Sequence, residues 1–134
     1  MTLQVCNMTP DRIFWNDQAE EIILPTNTGQ MGVLTNHAPL ITALDIGVTL
    51  IRSNGNWTPV ALMGGFALVK QNQVTILVNE AESAQTISLD EAEKAFEEAK
   101  IRLEESQGEK QRVEATFVFK RARARYQVVK QLTV

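Results

Sequence analysis

Gly29-Gln-Met-Gly-Val-Leu-Thr-Asn-His-Ala-Pro-Leu-Ile-Thr-Ala-Leu44 holds two apolar runs, at 31–34 and 40–44, around a polar segment at 35–39. That pattern reads as strand, tight loop, strand. Pro39 fixes its own φ and pushes Ala38 towards an extended backbone. Asn36 tolerates a left-handed conformation and bonds locally through its side chain. The loop is therefore stiff, and it carries His37, the one histidine of the chain. Taken alone, the loop favours a turn whose His37 satisfies a backbone carbonyl. A contact surface is the competing reading.

Outward from this stretch the pattern stays β-like. Short apolar runs at 3–5, 12–15, 19–24, 48–52, 57–63, 66–70 and 74–78 are separated by turn residues. Asn16-Asp17 reads as a turn, and Pro25 as a strand stop. Ser53-Asn54-Gly55-Asn56 is a strong hairpin signal, because Asn and Gly both accept positive φ. Gly64-Gly65 allows close backbone approach or a sharp bend, and Gln71-Asn72-Gln73 another hairpin. Strands so short and so regularly punctuated predict a sandwich or barrel over residues 1–87.

The composition changes at Ser88. Ser88-Leu-Asp-Glu91 fits a capping box. Leu89, Ala92, Phe96, Ala99 and Leu103 then recur at helical spacing along one seam. Gly108 suits a left-handed C-cap for this helix. A second helix is predicted from about Glu109 to Gln131, with Ala115, Val118, Ala122, Tyr126 and Val129 on one face. Val113, Phe117, Ala124 and Val128 form a second apolar stripe. Residues 88–134 thus predict an antiparallel helical hairpin.

Charge is unevenly placed. Residues 1–87 hold three cations and seven acids; residues 110–130 hold seven cations and one acid. The basic block predicts an acidic partner. The first helix is acidic and complements the second when the two are folded together. One His and one Cys cannot build a zinc site, and no phosphate-cradling motif is present. No nucleophile elbow accompanies His37. Neither an enzyme nor a nucleic-acid binder is expected, and no catalytic residue, metal or cofactor is assigned. No apolar run reaches the ~18 residues of a membrane span. The first residues show no targeting pattern, so the chain is expected to work where it is made. Cys6 has no internal disulfide partner, which suits a reducing compartment.

The order of these blocks resembles the epsilon subunit of F-type ATP synthases. The residues that carry the resemblance are Glu21-Ile-Ile-Leu-Pro25, Thr28-Gly-Gln-Met-Gly-Val-Leu34, Asn36-His-Ala-Pro-Leu40, Ala61-Leu-Met-Gly-Gly-Phe-Ala67, Val74-Thr-Ile-Leu-Val-Asn-Glu-Ala81 and Arg121-Ala-Arg-Ala-Arg125. Cys6, Met63-Gly-Gly-Phe66 and the 120–125 cluster give it a chloroplast flavour; a cyanobacterial or bacterial source is the alternative.

The resemblance implies an α+β, β-rich fold: a ten-stranded β-sandwich followed by a helix-turn-helix. It implies a rotor subunit held by the gamma subunit and the ring of c subunits, which couples proton flow to ATP synthesis. The expected location is peripheral, on the stromal face of the thylakoid membrane. Gln30 and Met31 fall where the family meets the ring, and Gln30 replaces a Glu found in some members. Asn36, His37, Ala38, Pro39 and Leu40 fall in the loop that faces gamma, which raises the contact reading of His37. The hairpin, with Gly108 as hinge, is expected to extend into the catalytic alpha/beta head and restrain hydrolysis. Lys120, Arg121, Arg123 and Arg125 would there meet acidic surface. Some members bind ATP at the start of the first helix; here Glu93 stands where those have Arg, so tight ATP binding is not expected.

Overall fold

Two long strands set the architecture. β5 (Leu40–Ser53) and β6 (Asn56–Lys70) pair antiparallel almost throughout, joined by a turn in which Asn54 and Gly55 have φ of 54° and 79°. The structure, a computed structural model, describes residues 2–130. One position in the ribbon is skipped, Asp45 opposite Gly64. There Gly64 and Gly65 take φ of 84° and 154°. A Cβ on Gly65 would run into the carbonyl oxygen of Leu77 and lie 2.8 Å from Val78 Cα, so only glycine fits.

Inside and outside exchange parity at this point. Before it, Leu44 of β5 faces the core; after it, Ile51 does, while Val48 and Leu50 face the other way. In β6, Val60 and Leu62 face the core first, then Ala67 and Val69. Side chains alternate along a strand, so such a flip marks a ribbon passing from one layer of a sandwich to the other.

The remaining strands are β1 (Leu3–Thr9), β2 (Arg12–Ala19), β3 (Glu21–Thr26), β4 (Gly29–Val33), β7 (Gln73–Val78) and β8 (Ala81–Ser83). Their order is β2-β1-β7-β6-β5-β3-β4, with β8 on the first half of β6. β8, β6, β5, β3 and β4 make one layer. The other halves of β5 and β6 join β7, β1 and β2 in the second. Leu3, Val5, Ile22, Leu24, Val33, Val74 and Ile76 are fully buried between them.

Among the described residues there are eight strands rather than ten, because β5 and β6 each run unbroken through both layers. Asn16-Asp17 is not a turn. Both lie inside β2, an edge strand where polar side chains face outward, and Gln4 Nε2 donates to Asn16 Oδ1 at 2.9 Å. Pro25 does not stop β3 either. It pairs with Gln30 of β4, and the ladder to β5 is interrupted between Ile23 and Thr26, where its missing N–H does no harm.

Helix α1 (Leu89–Glu104) starts as its sequence requires: Ser88 Oγ accepts from the Glu91 N–H at 3.4 Å. Its end differs from the expectation. Glu105, in right-handed conformation, caps it, and Ser106 Oγ donates to the Leu103 carbonyl at 2.7 Å. These bonds occupy the last carbonyls without a left-handed glycine. Gly108, with φ of 78°, instead opens α2 (Gly108–Lys130). The expected end of this helix at Gln131 lies outside the described residues.

It is α2 that lies on the first layer, with Ala124 and Val128 buried against Val48, Leu50, Ala61 and Met63. α1 packs on α2 through buried Ala99, Ala115 and Ala122. The Phe96 ring lies 5.5 Å from Phe119 and 5.3 Å from Tyr126.

Candidate functional site

The sandwich has two unlike outer faces. The hairpin covers that of the first layer. That of the second layer is open, and it is apolar. Ile41 is 73% exposed, Phe66 60% and Leu77 51%. They are neighbours: Ile41 lies opposite Leu68, Phe66 opposite Leu77, Leu77 beside Met8, and Met8 opposite Ile13. The stripe crosses five strands. Contiguous apolar surface of this kind marks an interaction face. Cys6, half-buried, lies on the same face of β1 as Met8.

The loop at 35–39 adjoins this stripe, since Ile41 is the second residue of β5, one beyond Leu40. Asn36 takes φ of 65°, and its N–H donates to Asn72 Oδ1 at 2.6 Å, tying the loop to the β6–β7 turn. His37 Nδ1 lies 2.7 Å from the Ala38 carbonyl, which it satisfies as the Nδ1–H tautomer. Ala38 and Pro39 are exposed, and Leu40 packs against the core. Gln30 and Met31 sit elsewhere, on β4 at the edge of the first layer. Gln30 is exposed; Met31 is half-buried against the core. The loop and the β4 edge are therefore separate surfaces, not one patch.

Three cations of α2 have partners that the sequence reading did not identify. Lys120 Nζ donates to Asp45 Oδ2 at 3.0 Å, Arg121 Nη1 to Glu80 Oε1 at 3.0 Å, and Arg125 Nε to Glu82 Oε1 at 2.9 Å. Among the described residues, the ion pairs of α2 run to the sandwich and not to acidic α1. Arg123 has no carboxylate among them; its guanidinium lies 5.2 Å from the centre of the Phe119 ring. A cleft of about 220 Å³ brings Arg123 and Asp45 together with Gln30. One carboxyl elsewhere is perturbed: Asp11, in the β1–β2 turn, is held below the usual range by the Thr9 hydroxyl, its own backbone N–H and Arg12. Among the described residues, no cluster of three metal-ligating side chains occurs, and no helix is long and apolar enough to cross a membrane.

The two parts of the chain, sandwich and helical hairpin, each match a known family model. Residues 2–84 match the family model for the ATP synthase delta/epsilon chain, beta-sandwich domain, and residues 85–130 that for its long alpha-helix domain. The chain belongs to the ATP synthase delta/epsilon family. It is 91% identical to the chloroplastic ATP synthase epsilon chain of Chlorella vulgaris over the whole length of both. The counterpart from Tupiella akineta is 72% identical, with 96% of this chain and 99% of that one covered. For Chlamydomonas reinhardtii the identity is 61%, with 98% of each covered. Among solved structures, a chain of the Euglena gracilis mitochondrial ATP synthase (OSCP, F1 and c-ring) superposes with a TM-score of 0.80 at 25% identity. That match covers 92% of this chain and 78% of that one. A delta/epsilon chain of this kind is a non-catalytic part of its ATP synthase.

Proposed function

We propose that this chain is the epsilon-type rotor subunit of a proton-translocating F-type ATP synthase, clamped to the central stalk by its sandwich and restraining ATP hydrolysis with its hairpin. The supporting observation is the pair of unlike faces. Residues 1–87 would form the rotor-binding unit, its open stripe and His37 loop seated on gamma, with Gln30 and Met31 towards the c-ring. Residues 88–134 would form the regulatory unit, of which 131–134 lie outside the described residues. Gly108, already left-handed and exposed, is the hinge. Released from the sheet, Lys120, Arg121, Arg123 and Arg125 would engage acidic surface on the catalytic head. The chain works as a peripheral subunit on the stromal face of the thylakoid membrane, as expected of relatives that are chloroplastic.

The test is to add the full chain to an alpha–beta–gamma complex and measure both capture by gamma and ATPase rate. Capture with lowered hydrolysis supports the reading. A chain that ignores gamma and leaves hydrolysis unchanged overturns it.

A further inference from the structure

We infer that Asp45, Glu80 and Glu82 form an electrostatic latch that holds the hairpin on the sandwich and sets how often it is released. Three of the four cations assigned to the catalytic head are already engaged by these carboxylates. The three acids come from successive parts of one sheet face. Asp45 lies at the skipped position of the β5–β6 ribbon, Glu80 in the link between β7 and β8, and Glu82 on β8. Glu80 is placed by its own backbone, whose carbonyl accepts from the Met63 N–H at 3.2 Å. Asp45 Oδ1 also accepts from the Ile46 N–H at 2.8 Å, which orients the carboxylate before Lys120 arrives.

The apolar seam beneath α2 is short. Ala124 and Val128 are its fully buried members from α2, with Tyr126 and Val129 partly buried beside them and Ala92 of α1 in the same cluster. Val113 and Phe117, on the same stripe as Ala124 and Val128, stay exposed beyond it. The ion pairs flank that short seam on both sides. Each is partly exposed and individually weak, so it is their sum that shifts the balance between the docked and released states. A cation cannot serve the sandwich and an acidic partner at once. Docking and engagement of the head therefore exclude one another, and this second step rests on the proposed inhibitory role.

The latch is testable in the isolated full chain. With Cys6→Ser and Val128→Cys, the rate of thiol modification at the buried position reports release of α2. Adding Asp45→Asn, Glu80→Gln and Glu82→Gln together should speed modification by about tenfold. The charge swap Glu82→Arg with Arg125→Glu should restore much of the slow rate lost by either change alone. An unchanged rate in the triple variant overturns the latch, whatever hydrolysis does. Faster modification with deeper inhibition of a reconstituted head supports the latch and the inhibitory arm together. Faster modification with unaltered hydrolysis supports the latch and overturns the inhibitory arm, so the two readings fail separately.

Discussion

Arg125 grips Glu82 with two hydrogen bonds, 2.9 Å from Nε to Oε1 and 3.2 Å from Nη2 to Oε2. Among the described residues, this fork is the least exposed of the three ion pairs between α2 and the sandwich, with side chains 28% and 20% accessible. Planar, two-point pairing is what distinguishes arginine from lysine at such a place. A double-mutant cycle with Arg125→Gln and Glu82→Gln, read by α2 release, should give a coupling of roughly 1 kcal/mol. Lys at position 125 should recover less than half of it. The coupling should shrink in high salt, since the pair is only partly shielded from water. A coupling near zero would show that the fork adds nothing to docking.

Arg123 gives the complementary experiment. It belongs to the same basic run, yet in the docked hairpin it stacks near Phe119 instead of meeting an acid. Arg123→Gln should therefore leave the release rate of α2 unchanged. It should still weaken inhibition of hydrolysis, by roughly tenfold in the concentration needed, as loss of one interfacial charge does. Arg125→Gln, by contrast, should raise release and weaken engagement, so its net effect on hydrolysis is smaller. Titration of both variants against a reconstituted head separates the two behaviours.

The sequence made the elements legible but not their partners. The turns at Asn54-Gly55 and Gln71-Asn72 and the cap at Ser88 follow from local chemistry, and all three occur. The continuity of β5 through Asp45 did not show, because the parity flip there looks like a break between two strands. Gly64-Gly65 likewise read as a boundary within what is one strand. The open apolar face left a signal in the run 61–69, apolar on both sides of the strand. Such runs belong to strands covered on both faces, and half of this one has nothing over it. The latch left none. Glu80 and Glu82 are ordinary exposed-looking acids until β8 folds onto β6, and only long-range pairing places them beneath α2.

The open face predicts a clean separation of binding from stability. Phe66 and Leu77 point away from the core, so Phe66→Asp or Leu77→Asp should change sandwich stability by no more than about 0.5 kcal/mol. Each should nonetheless weaken capture by gamma on the order of a hundredfold, since a charge at the centre of an apolar interface lacks compensation. Ile76, next along β7 and fully buried, behaves oppositely: Ile76→Ala should cost ~2–5 kcal/mol of stability. Thermal melting and a gamma pull-down on the three variants suffice. Undiminished capture by both Asp variants would remove this face from the rotor interface.

The His37 loop owes its position to Asn72, which lies 36 residues away in sequence and accepts the Asn36 N–H at 2.6 Å. Asn72 itself has φ of 60°, so the substitution must respect a left-handed backbone. Asn72→Gly keeps that backbone and removes the acceptor; Asn72→Asp keeps an acceptor oxygen. Glycine should loosen the loop, with faster amide exchange at Asn36 and His37, while the sandwich core stays protected. Capture by gamma should fall roughly tenfold, because the loop must now be ordered on binding. Aspartate should bind gamma much as the parent does. His37→Gln should also lower capture with little change in melting, since the His37 ring satisfies only a neighbouring carbonyl. If the glycine variant exchanges faster at the loop yet binds gamma as tightly as the aspartate variant, the loop is not part of the rotor contact and the apolar stripe alone must carry it.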